Sequence, residues 1–277
     1  MNMSCRCVAA LACGVVMTLT SINTRAEDHL WPIEQRVNLS LGVFLLDTDT
    51  TMRVDGDTRG TEVNLEDDFG FQSQDRFRVD GYWRFAKRHK LRFMYFGSRS
   101  SSNRTIDDTV EFRGVTFPVN ASVRAEFDTN IFEFAYEYSF IRRNSFELAG
   151  TVGLHNLSVE TRLTAQAVST AGAGGIDLAS KAEGDGPMPV IGVRAIWALS
   201  DHFYFDAQAQ FFALKVDNYD GNLQDYKLSF VWQPLRNVGV GIGYNDFTTR
   251  LDVDDDNFDG RLEFSYGGAL GFVTVAF

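Results

Sequence analysis

Apolar side chains recur at every second position along most of this chain, and that period admits β-strands and little else. Val37, Leu39, Leu41, Val43 and Leu45 form one run, and Phe77, Val79, Gly81, Trp83 and Phe85 the next. The pattern returns at Leu91, Phe93 and Tyr95, then at Phe132, Phe134, Tyr136, Tyr138 and Phe140, and at Phe146, Leu148, Gly150, Val152 and Leu154. It continues through Ile191 to Leu199, Phe203 to Phe211, Leu228 to Trp232 and Val238 to Tyr244. Successive strand residues point to opposite faces, so each segment has one apolar face, and no 3.6-residue stripe competes in these windows. The chain reads as all-β.

The opposite face of each strand decides which all-β architecture applies, because alternation suits both a soluble sandwich and a membrane barrel. That face carries Arg76, Arg78, Asp80, Arg84, Arg92, Glu133, Glu137, Glu147, His155, Arg194, Asp206, Gln208, Gln210 and Lys227. A sandwich could show these to water, so the connections must arbitrate. Four are short: Ala86 to Lys90, Ile141 to Asn144, Ser200 to His202 and Gln233 to Asn237. The alternate ones are long or acidic, among them Asp47 to Gln74, Ala165 to Gly186 and Asp252 to Asp259. Short turns at one end and long loops at the other are the asymmetry of a transmembrane barrel. Trp83, Trp197 and Trp232 each precede a short turn on the apolar parity, joined by Phe85, Phe140 and Phe203, which is the pattern of an interfacial aromatic girdle.

The chain ends on Phe277, with Val275 and Val273 on the same face. This end resembles the terminal signal that bacterial outer-membrane β-barrels present to their insertion machinery, and the pattern over 27–277 is similar to that of small OmpA-type and OmpX-type barrels. The resemblance implies a closed, antiparallel, up-and-down barrel in the outer membrane. It also implies lipid and lipopolysaccharide as surroundings, and the insertion machinery as a partner through Phe277. No family-specific motif accompanies it.

Residues 1–26 read as a cleaved signal peptide and 27–277 as one barrel domain. Arg6 supplies the positive start, Val8 to Thr20 the apolar stretch, and Ala26 the small residue before cleavage. The stretch is too short for a membrane-spanning helix. Cys5, Cys7 and Cys13 all fall inside the removed piece, so the expected mature chain has no thiol. A lipoprotein reading at Cys13 is disfavoured, because too little apolar sequence precedes it. The excess of 37 Asp and Glu over 26 Lys and Arg argues against a nucleic-acid partner, whose phosphates need a basic surface.

Four internal short turns, with both chain ends on that side, predict ten strands. Their expected positions are Arg36 to Asp47, Arg76 to Phe85, Lys90 to Ser100, Val123 to Phe140 and Ser145 to Ala165, then Met188 to Leu199, His202 to Val216, Leu223 to Gln233, Val238 to Leu251 and Arg261 to Phe277. The alternating segment Gly60 to Gly70 reads either as part of a twelve-strand barrel or as an extracellular hairpin. Arg104 to Arg124, with Gly114 and Pro118 at its tip, reads as a hairpin projecting beyond the bilayer. Parity changes at Asn156, Asn245-Asp246 and Gly267-Gly268 read as bulges or membrane exits.

A barrel of this size is narrow enough for inward side chains to fill it. Arg78, Asp80, Arg84, Arg92, Glu133, Glu137, Glu147, Arg194 and Asp206 are therefore expected to form a luminal ion-pair network, since buried charges need partners. The competing reading is a gated polar path for a small solute. For an enzyme, a nucleophile and base must meet, but Ser158 and His155 fall on opposite strand faces, and Thr151 and Glu147 spread away from His155 along one face. Asp252, Asp254, Asp256 and Glu263 fall at positions 1, 3, 5 and 12 of a calcium loop, with Asn257 where glycine is usual; the alternative is a solvated loop tip. With Glu66 to Asp68 and Asp217 to Gly221, these acids would let Ca²⁺ or Mg²⁺ bridge to lipopolysaccharide phosphates. Lys87, Arg88, Lys90, Arg142, Arg143 and Arg236 near the short turns read as snorkelling interfacial cations. The expected role is non-catalytic, in envelope integrity or surface interaction. A small-solute channel or lipid-modifying enzyme is the alternative.

Overall fold

In the computed structural model, residues 31–55, 59–71, 75–167, 176–216, 219–255 and 258–277 are described. The expected signal peptide lies outside them. Thirteen strands and one short helix follow in order: β1 (Val37–Val54), β2 (Val63–Asn64), α1 (Leu65–Phe69), β3 (Asp75–Ala86), β4 (His89–Thr105), β5 (Val110–Phe112), β6 (Val115–Phe117), β7 (Ser122–Arg142), β8 (Phe146–Ala167), β9 (Ile176–Ala198), β10 (Phe203–Val216), β11 (Tyr219–Trp232), β12 (Val238–Asp255) and β13 (Phe258–Ala276).

Ten of these strands close a barrel. Each pairs antiparallel with its neighbour in the order β1-β3-β4-β7-β8-β9-β10-β11-β12-β13, and β13 returns to pair with β1. Closure leaves no open sheet edge, which is the condition for strands to cross a bilayer. No helix among the described residues is long and apolar enough to cross a membrane.

The alternation seen in the sequence sorts faces as expected. Leu41, Leu45, Phe134, Val152, Ile191, Leu228 and Ile242 are exposed on the barrel exterior, whereas Phe44, Met94, Glu133, His155 and Gln210 are buried inside. On β7 one outward parity reads Arg124, Glu126, Asp128, Asn130 and then Phe132, Phe134 and Tyr138. The change at Asn130 to Phe132 marks where an apolar band ends and a hydrated extension begins.

Several expected boundaries move. Ala165 to Gly186 is not one long loop: β8 runs to Ala167 and β9 begins at Ile176, paired through Ala167 with Ile176 and Leu163 with Ser180. Outside a bilayer both faces of a strand can be polar, so the apolar period that announces a span is missing there. Likewise β1 continues to Val54. Gly60 to Gly70 forms neither barrel strands nor a free hairpin, but the two-residue β2 against β1 followed by α1. Asn64 caps α1, accepting from the amides of Glu66 and Asp67, and Gly70 ends it in the left-handed conformation at φ 70°.

The changes at Asn156, Asn245-Asp246 and Gly267-Gly268 are not bulges, since pairing runs unbroken through them. Register shifts occur instead at Arg84/Ala86 and Ser139/Ile141, both beside short turns.

Candidate functional site

The lumen is filled in layers from the short-turn end to the long-loop end. At the bottom, the segment before β1 folds into the opening. Glu34 N donates to Trp31 O, making a turn that presents Ile33 to Ile196, Ala198, Tyr204 and Val231. Gln35 is sealed behind it: its Nε2 donates to Gln233 Oε1 at 2.8 Å, Tyr82 Oη donates to its Oε1, and Arg84 Nε donates to its carbonyl. This plug left no periodic signal and was not anticipated from sequence.

Above the plug lies the charged layer. Arg84 holds Glu147 through two hydrogen bonds of 2.9 and 2.7 Å, and Ser139 Oγ donates to the same carboxylate. Lys90 Nζ bridges Glu137 at 2.9 Å and Glu147 at 3.3 Å. Glu137 also meets Arg92 at 3.1 Å and Arg194 at 3.6 Å, while Arg194 is bidentate to Asp206, both bonds 2.7 Å. Arg78 is bidentate to Asp80, which also takes Lys227 Nζ at 3.1 Å. Between plug and network, Asn38, Tyr82, Arg194 and Ser229 line a small cavity with room for roughly two or three waters.

All nine residues expected in the network are buried or nearly so and project into the lumen, but Glu133 has different partners from the rest. Gln210 Nε2 donates to its Oε1 at 2.8 Å, and His155 Nε2 lies 3.7 Å from its Oε2. Lys90 is a correction: it does not snorkel near the turn but is fully buried inside. Its parity with Arg92 carried that signal. Asp225 was missed, although it shares the parity of Lys227. It accepts from Asn245 Nδ2 at 2.6 Å and from Gln208 Nε2 at 3.3 Å.

The layer above is apolar. Phe96 and Tyr266 stack at 4.9 Å, Phe247 and Tyr266 at 5.0 Å, and Phe44 meets both Phe96 and Tyr266 edge-on. The top is closed by the segment expected to project outward. Instead, β5 and β6 pair into a hairpin that lies across the mouth, with Phe112 and Phe117 fully buried in the interior cluster alongside Leu65 and Phe69 of α1. On one side Arg113 N donates to Val54 O and Thr61 N to Glu111 O. On the other, Ser180 Oγ donates to Phe112 O and Arg113 Nη1 to Lys181 O. β1 and β9, which receive these contacts, stand diametrically opposite in the ring. The physical reason for the inward fold is burial of two phenylalanines that a projecting hairpin would leave in water.

On the exterior, Trp83, Phe140, Trp197, Phe203 and Trp232 are exposed at the short-turn end, and Phe203 stacks on Trp232 at 6.4 Å. Beyond the apolar band a charged ladder crosses β4 to β9: Arg99 with Asp128, Arg162 with Glu126 and Glu160, and Lys181 with Glu160.

Of the residues read as a calcium loop, Asp256 lies outside the described residues, and only Asp252 and Glu263 have described side chains. Asp252 accepts from Arg261 Nε at 2.6 Å and Arg250 Nε at 3.0 Å, and Glu263 pairs with Arg250 at 3.2 Å. Partial burial works against the Asp252 charge, but these hydrogen bonds hold its carboxyl below the usual range. Both carboxylates thus face guanidinium groups. Glu66 is likewise turned inward, accepting from Thr50 N and from the Thr48 and Thr50 hydroxyls, and burial pushes its carboxyl up. Asp220 pairs with Lys215, and Asp217 lies outside the described residues.

No protein-family model matches the chain, and no curated protein does so. Among solved structures, the chain is similar to the outer membrane protease OmpT from Escherichia coli, at 11% identity and a TM-score of 0.58, covering 93% of this chain and 100% of that one. Weaker likenesses are to Ail, the attachment invasion locus protein of Yersinia pestis (10% identity, TM-score 0.31, 86% and 98% covered), and to the Pseudomonas putida toluene transporter TodX (7%, 0.36, 87% and 89%). The fold is that of a small outer-membrane β-barrel, closed by ten antiparallel strands.

Proposed function

We propose that this chain is an outer-membrane protein whose barrel neither conducts nor catalyses, and which serves the envelope as a rigid wall with its extracellular strand extensions offered to partners. The observation that carries the reading is the closure of both ends by the chain's own segments, the turn at Trp31 to Glu34 below and the β5–β6 hairpin above. A solute path would have to displace both and cross bidentate Arg–carboxylate pairs between them. The charged ladder at the outer limit of the apolar band suits contact with lipopolysaccharide headgroups. The Phe277 end suits recognition by insertion machinery.

The protease OmpT shares the fold, which by itself transfers no chemistry. The described histidines favour the non-catalytic reading: His89 and His202 sit at short turns, and His155 is sealed in the lumen, so none stands among the extracellular strand ends.

Planar-bilayer recording of the purified protein tests the proposal. No conductance above that of the bare bilayer is expected, whereas regular single-channel steps would overturn it. Turnover of a peptide library, or a changed lipid A mass spectrum on expression, would overturn the non-catalytic part.

A further inference from the structure

At the boundary between the charged and apolar layers of the lumen, three metal-ligating side chains converge. Glu133 on β7 and His155 on β8 are direct cross-strand partners, and Asp225 reaches them from β11 across the barrel. One ligand atom from each lies within 4.8 Å of the other two, and all three side chains are buried. We propose that Glu133, His155 and Asp225 form a binding site for one divalent transition-metal ion of the Zn²⁺ type, acting as an internal staple between the two sides of the barrel.

Three observations carry this beyond a mere cluster. The first is a buried acceptor without a donor: Glu133 Oε2 makes no hydrogen bond, and it is this oxygen that faces the imidazole. A desolvated carboxylate oxygen left in that state is costly unless a cation completes it.

The second is the allocation of luminal cations. Arg78 holds Asp80, Arg84 holds Glu147, Arg92 holds Glu137 and Arg194 holds Asp206; Lys90 and Lys227 join the same four carboxylates. Glu133 and Asp225 appear in none of the ion pairs to lysine or arginine among the described residues.

The third is the supporting frame, of the kind that orients metal ligands through outer hydrogen bonds. Asn245 and Gln208 donate to the two oxygens of Asp225, Gln210 donates to the other oxygen of Glu133, and the His155 ring lies against Phe247, nearly parallel at 6.2 Å. In a tetrahedral set with bonds of about 2.0–2.2 Å the donor atoms stand about 3.3–3.6 Å apart, so the side chains must draw in by up to about 1.5 Å. One imidazole with two carboxylates is a donor set that Zn²⁺ and Co²⁺ accept, the remaining coordination being left to water or Gln210 Oε1.

Because the site is enclosed, the ion would be taken up as the barrel forms. The test is therefore refolding of the full chain into detergent with ZnCl₂, followed by desalting and elemental analysis. One zinc per chain is expected in wild type, no retained zinc in Glu133→Gln or His155→Gln, about ten-fold weaker retention in Gln210→Ala, and full retention in Asp252→Asn at the outer loop. Heat-modifiable migration on gels reports that each variant folds. Absence of zinc from folded wild type, or undiminished zinc in folded His155→Gln, would overturn the site. The wild type alone gives a second check: its zinc X-ray absorption spectrum should contain one imidazole with oxygen donors, and an all-oxygen shell would refute the assignment.

Discussion

Arg84 and Glu147 meet inside the barrel through two parallel hydrogen bonds of 2.9 and 2.7 Å, although their strands, β3 and β8, are not neighbours in the sheet. The pair is a cross-brace: it ties parts of the wall that the backbone ladder does not connect. Breaking such a buried pair leaves one charge short of a partner, which costs about 3–5 kcal/mol. Arg84→Met and Glu147→Gln should each lower the urea midpoint of the protein in lipid vesicles, and the double variant should lose less than the sum. Strict additivity would mean that the two residues do not act on one another.

Phe112 is the apolar anchor of the hairpin that covers the mouth. Truncating a buried phenylalanine costs about 3–5 kcal/mol, and in a short two-stranded element that loss appears as local opening, with the barrel itself intact. Phe112→Ala should therefore increase the rate of proteolytic cleavage between Asp107 and Asn120 while the barrel keeps its heat-modifiable migration. Equal cleavage rates in variant and wild type would show that the ring does not secure the hairpin.

Glu66 gives the outer end a pH dependence whose sign can be worked out. Burial is the largest influence on it and raises its pKa above the usual 4.5, opposed by hydrogen bonds from Thr50 and Thr48. The folded state thus holds the proton more tightly than the unfolded state does. Stability from this group is fully present below pH 4.5 and is lost as pH rises through the folded pKa. Hydrogen-exchange protection of the Glu66 and Asp67 amides should fall across that window in wild type and stay flat in Glu66→Gln. The opposite slope would contradict the burial of this carboxyl.

Gly192 stands opposite Gln210 in the β9–β10 ladder, and a Cβ there would lie 2.3 Å from the Ala209 carbonyl oxygen and 2.8 Å from the Gln210 side chain. The nearer obstacle is backbone, so the strands would have to part. Gly192→Ala should cost about 1–3 kcal/mol, as other insertions into packed sites do, and should shift the Gln210 side-chain amide resonance. An unshifted resonance at wild-type stability would show that the space is not needed.

The parts of this structure legible in the sequence are those where lipid imposes a rule. Leu41, Phe134 and Ile242 must alternate with polar neighbours because one face meets hydrocarbon and the other the lumen, so strand number and inward parity could be read directly. Lys90 shows where two rules collide. Parity with Arg92 sent it inward, proximity to a turn suggested the interface, and the luminal carboxylates of Glu137 and Glu147, which it bridges, won. Ile176 to Gly186 carries no period because water touches the outside of that extension. The β5–β6 cap and the plug at Ile33 depend on contacts between distant segments, which local pattern does not encode. Glu133, His155 and Asp225 were visible as inward residues only in part: the first two share a register pair, but nothing in the spacing brings Asp225 across the ring.

β1 and β13 are joined from Asn38 against Ala276 to Val54 against Gly260. The seam is therefore made by segments synthesised far apart in time, and until the later one arrives the growing wall has two raw margins, each a template for an incorrect neighbour. Such long-range zippering is slow. A copy lacking residues 258–277 would not be a slimmer tube but an unsealed ribbon, adhesive along both sides, and every cell making this polypeptide must shelter it until its final stave is in place.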